Sequence, residues 1–498
     1  MSWQNIWRLA KSDYFKLVPI LALAFYVAFI PNQDYPYPVH IDEWVHLAFS
    51  KAMMETGDAT FTNPFSGGVL GPGSSLEAGF HLFWGVFQSI SGISWLTIFR
   101  YFPCVIFMMT ILSVYTLARQ EGFGWEAAFF TCLIPTTIGI LGPAFLVPVA
   151  MGLLFIPLSL FLAFNFRTVW SYLVLFIFMC FLLSIHAPTA IGLAIILIPY
   201  ILLNLKGDFK HSLGIALAIA IPFLAPFPWI LKMLLPTAES LLSPQPLLDY
   251  VVLPNLTGDY GYLPIALCLL GTFLLAMRGE KKSYGLILGL LALLVMLVTF
   301  YTFHYGLFIV YERALMYMML MLGIIAGAGL MGVRTIRLPT ESSDRTKSLV
   351  VRTVGSILCL ALIGVTLAMS IPHRQDEDYY HMIDKEDYQA FVWINENVNG
   401  DYEKAILDPW KATAFTTITQ KSIYTRIHSF PKPIDEEAYT FLRGGSADTT
   451  FLRENGISII YTRVYDFKSK TNSEYSSDNP DLVEVRKNIY LLEEAGHQ

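Results

Sequence analysis

The chain has 498 residues, 55% of them hydrophobic and 14% charged, with a formal net charge of −6 and a mean hydropathy of +0.52. That balance excludes an ordinary soluble domain and predicts a polytopic membrane protein. Residues 372–498 alone hold 14 Lys+Arg against 22 Asp+Glu, so the tail is a soluble acidic domain and nucleic acid is excluded as a partner.

At the start, Arg8, Lys11 and Lys16 precede an apolar run with no small-residue cleavage site after it, which predicts a retained first helix. Apolar runs start near 15, 97, 125, 147, 169, 187, 212, 262, 283, 308 and 349. Each is roughly 17–24 residues, enough for a hydrocarbon core of about 30 Å. About eleven spans are therefore predicted. The run 78–93 is short and broken by Gly79 and Gly85. Loop charges assign it to the outer interface, because only then do Arg119, Arg167, Lys206, Lys210, Arg278, Lys281 and Lys282 fall on the side of the basic N-terminus. The resulting topology is a multi-pass cell-membrane protein with a cytoplasmic N-terminus. Residues 1–371 form a transmembrane domain whose first extracytoplasmic loop is 31–96, and residues 372–498 form an extracytoplasmic α/β domain.

The first loop opens on His40-Ile41-Asp42-Glu43-Trp44-Val45-His46. Ionisable groups beside a bilayer are costly, so an acidic pair between two histidines is a functional candidate. Equally, it is the pattern of a helix start with Asp42 as its cap. Residues 42–56 read as an amphipathic helix. Trp44, Leu47, Ala48 and Met53 face lipid or protein, with Asp42, Glu43, His46 and Glu55 elsewhere. Turn residues from Asn63 to Gly73 then lead to a second interfacial helix.

Four cations of the membrane part stand near the outer side: Lys51, Arg100, Lys232 and Arg313. Such residues either snorkel to headgroups or bind an anion. Tyr311, Glu312 and Arg313 begin the tenth span close in sequence to Tyr301 and His304, an aromatic corner around a guanidinium whose fork suits phosphate. His186, at the turn between the fifth and sixth spans, reads as a cap or as a substrate-orienting group. The five cysteines lie in apolar segments without metal-ligand spacing. In the tail, 387–397 and 436–442 read as helices, 404–407 and 457–462 as strands, and 482–492 as a closing hairpin.

The acidic pair after the first span, two interfacial helices, about eleven spans and an outer C-terminal domain together resemble the glycosyltransferase C (GT-C) superfamily. Residues 42–58 are similar to the acidic-pair helix of protein O-mannosyltransferases and bacterial aminoarabinose transferases, and 75–119 resemble the interfacial helix and second span that follow it. The resemblance implies transfer of a sugar from a polyprenyl (dolichyl) phosphate donor to a hydroxyl of a glycan, lipid or protein at the outer face, with inversion. It assigns the general base to Asp42 with Glu43 beside it, and the donor phosphate to Arg313, helped by Lys232 or Arg100. His46, His186, Tyr301, His304 and Tyr311 would orient the substrates. Two departures matter. The segment Leu141–Pro148 lacks the acid that several relatives use to help hold a metal, and the tail lacks a Trp-Trp-Asp signature. The expectation is therefore a hexosyl or pentosyl transferase that requires no cofactor, with Mg²⁺ or Mn²⁺ as the alternative. A transporter or flippase of lipid-linked sugars is the competing class, but such proteins favour mid-span charges and inverted repeats, neither of which is visible.

Overall fold

The computed structural model describes residues 13–70, 77–137, 140–224, 257–258, 260–303, 308–336, 345–377, 379, 381–427, 431–466 and 469–493. In chain order, α1 (Asp13–Phe29) ends in a 3₁₀ turn and leads to α2 (Ile41–Thr56), the ribbon β1 (Phe61–Thr62) with β2 (Val69–Leu70), and α3 (Ala78–Ser91). Helices α4 (Trp95–Arg119), α5 (Gly124–Thr131), α6 (Pro148–Leu153), α7 (Phe155–Asn165), α8 (Val169–Ile185), α9 (Ala187–Asn204) and α10 (Phe209–Leu224) follow. The membrane part closes with α11 (Tyr262–Arg278), α12 (Lys281–Phe303), α13 (Phe308–Arg334) and α14 (Arg345–Gln375). Then come α15 (Lys385–Asn397), β3 (Lys404–Ile406), α16 (Ala412–Thr419), β4 (Ser422–Ile423), α17 (Pro433–Arg443) and α18 (Thr449–Glu454). Five strands end the chain: β5 (Ile459–Tyr461), β6 (Arg463–Asp466), β7 (Thr471–Glu474), β8 (Leu482–Arg486) and β9 (Ile489–Leu492).

Two compact units result: Met1–Asp34 with Phe99–Asp378, and Tyr35–Ile98 with Tyr379–Gln498. The first loop thus groups with the tail, whereas the composition boundary at 372 had set it with the membrane segments.

In the first unit, seven apolar helices are long enough to cross a membrane: Tyr14–Asn32, Trp95–Arg119, Pro148–Asn165, Ala187–Asn204, Lys281–Phe303, Arg313–Arg334 and Thr353–Gln375. Helices α8, α10 and α11 are apolar but shorter. These account for ten of the expected runs, and the chain is a polytopic helical membrane protein. Buried over 89% of its apolar window, α13 is the centre of the bundle, whereas α12 and α14, at 28% and 22%, leave most of theirs outward. Close approach of α11 to α13 rests on Gly271, where a Cβ would meet the Ile325 carbonyl oxygen at 2.0 Å.

The run near 125 departs from expectation. Only α5 is helical there, eight residues or about 12 Å, and the chain continues as buried irregular backbone through residues 132–137 and 140–147. Pro135 and Gly142-Pro143 interrupt the helix, since proline lacks the N–H and clashes with the preceding turn. Irregular backbone at membrane depth needs internal partners. The Tyr260 hydroxyl donates to the Phe130 carbonyl at 3.1 Å, Arg374 donates to the Leu133 carbonyl, and the Ala144 N–H donates to Thr136 Oγ1 at 3.1 Å.

The second unit carries the α/β tail. Strand order is β4-β3-β5-β9-β8, with β3 parallel to β4 and β5, and β5 antiparallel to β9. Ile406, Ile427, Leu442, Leu452, Ile457 and Ile460 form its apolar core. Helices and strands stand where alternation placed them; α16, β4, α18 and the β6–β7 ribbon are additional.

Candidate functional site

Helix α2 starts with a reciprocal cap. His40 Nδ1 accepts from the Asp42 N–H at 3.1 Å, and Glu43 Oε2 accepts from the N–H groups of Val39 at 2.7 Å and His40 at 3.0 Å. Acceptance at Nδ1 leaves the His40 ring proton on Nε2. Glu43, only 1% exposed, thereby satisfies donors that the first helical turn leaves open. Asp42, the other acid of the pair, gives the cap its backbone N–H. Its side chain is 17% exposed and lies 3.8 Å from His40 Nδ1.

The opposite side of α2 is fixed by the tail. Thr417 Oγ1 on α16 donates to the Trp44 carbonyl at 3.1 Å, Lys51 Nζ donates to the Thr417 carbonyl at 3.1 Å, and Gln420 Nε2 donates to Glu55 Oε1 at 2.9 Å. Lys51, one of the four outer cations, therefore works as a docking residue, and burial holds its ammonium below the usual lysine range. Upstream of α2, Tyr35 stacks on His381 at 4.1 Å and Tyr37 on Tyr388 at 4.8 Å. The tail also supplies Arg426, whose guanidinium lies 4.2 Å from the Phe65 ring centroid. Burial lowers its pKa while the charge of Asp42 opposes the shift, so the two groups share one electrostatic environment.

One turn along α2 from Asp42, His46 meets α3. His46 Nδ1 is 3.0 Å from His81 Nε2 and 3.9 Å from Glu77 Oε2. The three side chains bring one ligand atom each within 4.8 Å of one another, the only such His/Cys/Asp/Glu group among the described residues. Both rings are buried, at 7% and 1% exposure, among Phe49 and Phe80. Burial, reinforced by His46, holds His81 well below the usual histidine range and hence neutral. The α2–α3 contact closes at Gly85, where a Cβ would strike Met54 Cγ at 2.5 Å. On the other face of α3, Leu82, Phe83, Val86 and Ile90 are exposed as an apolar stripe.

The remaining expected residues belong to the first unit. His186 caps α9, and its Nδ1 is 2.7 Å from Thr189 Oγ1, which is 2.8 Å from the Tyr317 hydroxyl on α13. Arg313 precedes Tyr317 by one turn on that helix, and the buried hydroxyl chain from His186 ends at Tyr317. Arg100 is engaged otherwise. Its Nη2 donates to the carbonyls of Asn32 at 3.2 Å and Gln33 at 3.4 Å while the guanidinium lies over Phe29 and Tyr101. That makes it a clamp on the end of the first span. Tyr301 sits half-buried in the last turn of α12. Lys232, His304 and the side chain of Tyr311 lie outside the described residues.

Sequence reading missed Glu77, His81 and Arg426. Glu77 and His81 stand at i, i+4, a visible signal, but their meeting with His46 depends on packing between two helices 35 residues apart in sequence.

No protein-family model and no curated protein sequence matches the chain. Solved structures do. The apo oligosaccharyltransferase of Archaeoglobus fulgidus aligns with a TM-score of 0.61 at 12% identity, over 89% of this chain and 69% of that one. The same archaeal enzyme, AglB, in complex with an inhibitory peptide and a dolichol-phosphate aligns at 0.61 and 11%, over 93% and 70%. ArnT from Cupriavidus metallidurans bound to undecaprenyl phosphate aligns at 0.56 and 12%, over 96% of this chain and 97% of that chain. Both neighbours are GT-C glycosyltransferases, and at this identity the likeness shows the fold: the chain has the GT-C membrane fold with a soluble domain.

Proposed function

We propose, from the GT-C fold as premise, that the chain is an integral membrane glycosyltransferase that moves one sugar from a polyprenyl phosphate to a hydroxyl acceptor on the extracytoplasmic side. The observation that carries this reading is the division of labour at the start of α2: Glu43 is absorbed by the helix cap, and Asp42 beside it stays partly exposed on a helix fixed by the tail. Neighbours of this fold bind dolichol-phosphate and undecaprenyl phosphate, which supports a lipid-linked donor here.

In the reaction, Asp42 takes the proton of the acceptor hydroxyl as that oxygen bonds to the anomeric carbon. The bond from the carbon to the phosphate oxygen breaks, and the lipid phosphate leaves with the electron pair. One direct displacement inverts the anomeric centre. Positioned proton transfer of this kind contributes about 10²–10⁴ in rate, roughly 3–5 kcal/mol. Arg313 neutralises the leaving phosphate. Arg426 places a positive charge in the electrostatic environment of Asp42. The apolar stripe of α3 rests in the outer membrane interface, and the N-terminus is cytoplasmic.

The test is transfer of radiolabelled sugar from a panel of polyprenyl-phosphate donors to membrane extract by the purified chain. Transfer by the wild type and a loss of at least about a hundredfold in Asp42→Asn is the expected result. Full activity in the variant would remove Asp42 from the mechanism. Movement of intact lipid-linked sugar across vesicles without transfer would replace the transferase with a flippase.

A further inference from the structure

His46, Glu77 and His81 each bring one ligand atom to a common point, all within 4.8 Å of one another. Two ring nitrogens 3.0 Å apart share a single hydrogen between them, and the Glu77 carboxylate, 3.9 Å from the nearer ring, brings a further acceptor. Glu77 occupies the N-cap position of α3 yet makes no side-chain cap bond to its own helix; its carboxylate is turned to α2 instead. His81 Nδ1 is buried and has no hydrogen-bond partner among the described residues, so the ring is held by packing against Phe49 and Phe80, with its Nε2 at the meeting point.

We infer that these three side chains form a binding site for a divalent transition-metal ion of the zinc type. Geometry fits that size of ion. Ligands about 2.0–2.1 Å from a tetrahedral centre stand about 3.3 Å apart; the two ligand atoms flanking His46 Nδ1 lie 3.0 and 3.9 Å from it, and all three lie within 4.8 Å of one another. Two imidazoles with one carboxylate select zinc-like ions over Mg²⁺ or Ca²⁺, which prefer oxygen. Three protein ligands leave a fourth position, and Glu77, at 31% side-chain exposure, gives an entry path. The bound ion pins α2 to α3. It also sets a double positive charge one helical turn from Asp42, where neighbouring Cβ atoms are about 5–6 Å apart. The ion's role is to position α2, whatever reaction the chain performs.

Binding is measured apart from activity. The full-length chain, purified in detergent and stripped with a chelator, is titrated with Co²⁺, whose visible absorption reports a four-coordinate site, and then with competing Zn²⁺. The expected result is about one equivalent bound by the wild type, with Glu77→Ala weakening the affinity at least about tenfold and His81→Ala abolishing the absorption. Glu77 is half-exposed, so its variant keeps the test valid where a buried histidine variant fails to fold. No uptake by the wild type, or equal uptake by wild type and Glu77→Ala, overturns the site. Loss of metal with retained sugar transfer would separate it from the transferase reading, and metal uptake without transfer would do the reverse.

Discussion

Two helices of the second unit begin with acids in the same device and use them differently. At α15, Asp384 and Asp387 form a reciprocal cap, and both carboxylates are also bonded to the tail: Arg463 reaches Asp384 and Asp387 at 2.8 and 2.9 Å, and Lys411, fully buried, donates to both oxygens of Asp387 at 2.9 and 3.0 Å. Asn472 and the Tyr461 hydroxyl complete the cage. At α2 the side chains of the cap are His40 and Glu43, and the Asp42 side chain stands beside them, partly exposed. A capping box therefore says where a helix starts but not whether an acid is available for chemistry. What decides is how deeply the surrounding fold buries the second carboxylate, 0% exposed at Asp387 and 17% at Asp42.

The contrast can be broken from either end. The largest effect is expected at Asp42: Asp42→Asn should cost at least about a hundredfold in transfer while lowering the thermal midpoint less than a change at a fully buried acid, since its side chain is 17% exposed. An unfolded variant would instead make α2 a copy of α15. Next comes Lys411→Met, which leaves buried Asp387 short of a cation and should cost about 3–5 kcal/mol, read as a lowered melting temperature. Acid sharpens the same point. Burial raises the pKa of Asp384, but the bonds from Arg463 outweigh it and hold the carboxyl well below the usual range. A depressed folded pKa contributes stability above the unfolded value of about 3.9 and loses it as pH falls further. The wild-type midpoint should thus drop below about pH 4, and Asp384→Asn should flatten that drop. The smallest effect belongs to the other cap: Glu43→Ala should cost about 0.5–2 kcal/mol, and Glu43→Gln, which still offers an oxygen to Val39 and His40, should cost less.

Much of this was legible from the residues. Hydrophobic length marked ten of the membrane helices because a bilayer imposes a fixed span, and the bounds of α2 followed from a cap next to an amphipathic period. Alternation in the tail gave α15, β3, α17, β5 and the last hairpin. The segment after α5 was not legible as irregular, because its apolar composition fits a span and only Pro135 and Pro143 object. Asp42 and Glu43 looked alike in sequence, and their separation into exposed acid and buried cap depends on one rotation about the helix axis. His81 and Arg426 escaped because their neighbours come from distant segments; Lys51 was visible as an exception to the charge rule, but its partner on α16 was not.

The bonds between α2 and α16 also set a schedule. Lys51 and the Thr417 carbonyl are 366 residues apart, and at about 5–20 residues per second a ribosome needs roughly 20–70 s to deliver the second after the first. During that interval the acid-bearing helix is already made and the surface that fixes it is not. A chain interrupted before α16 would carry Asp42 but lack both the bonds that hold its helix and the charge of Arg426.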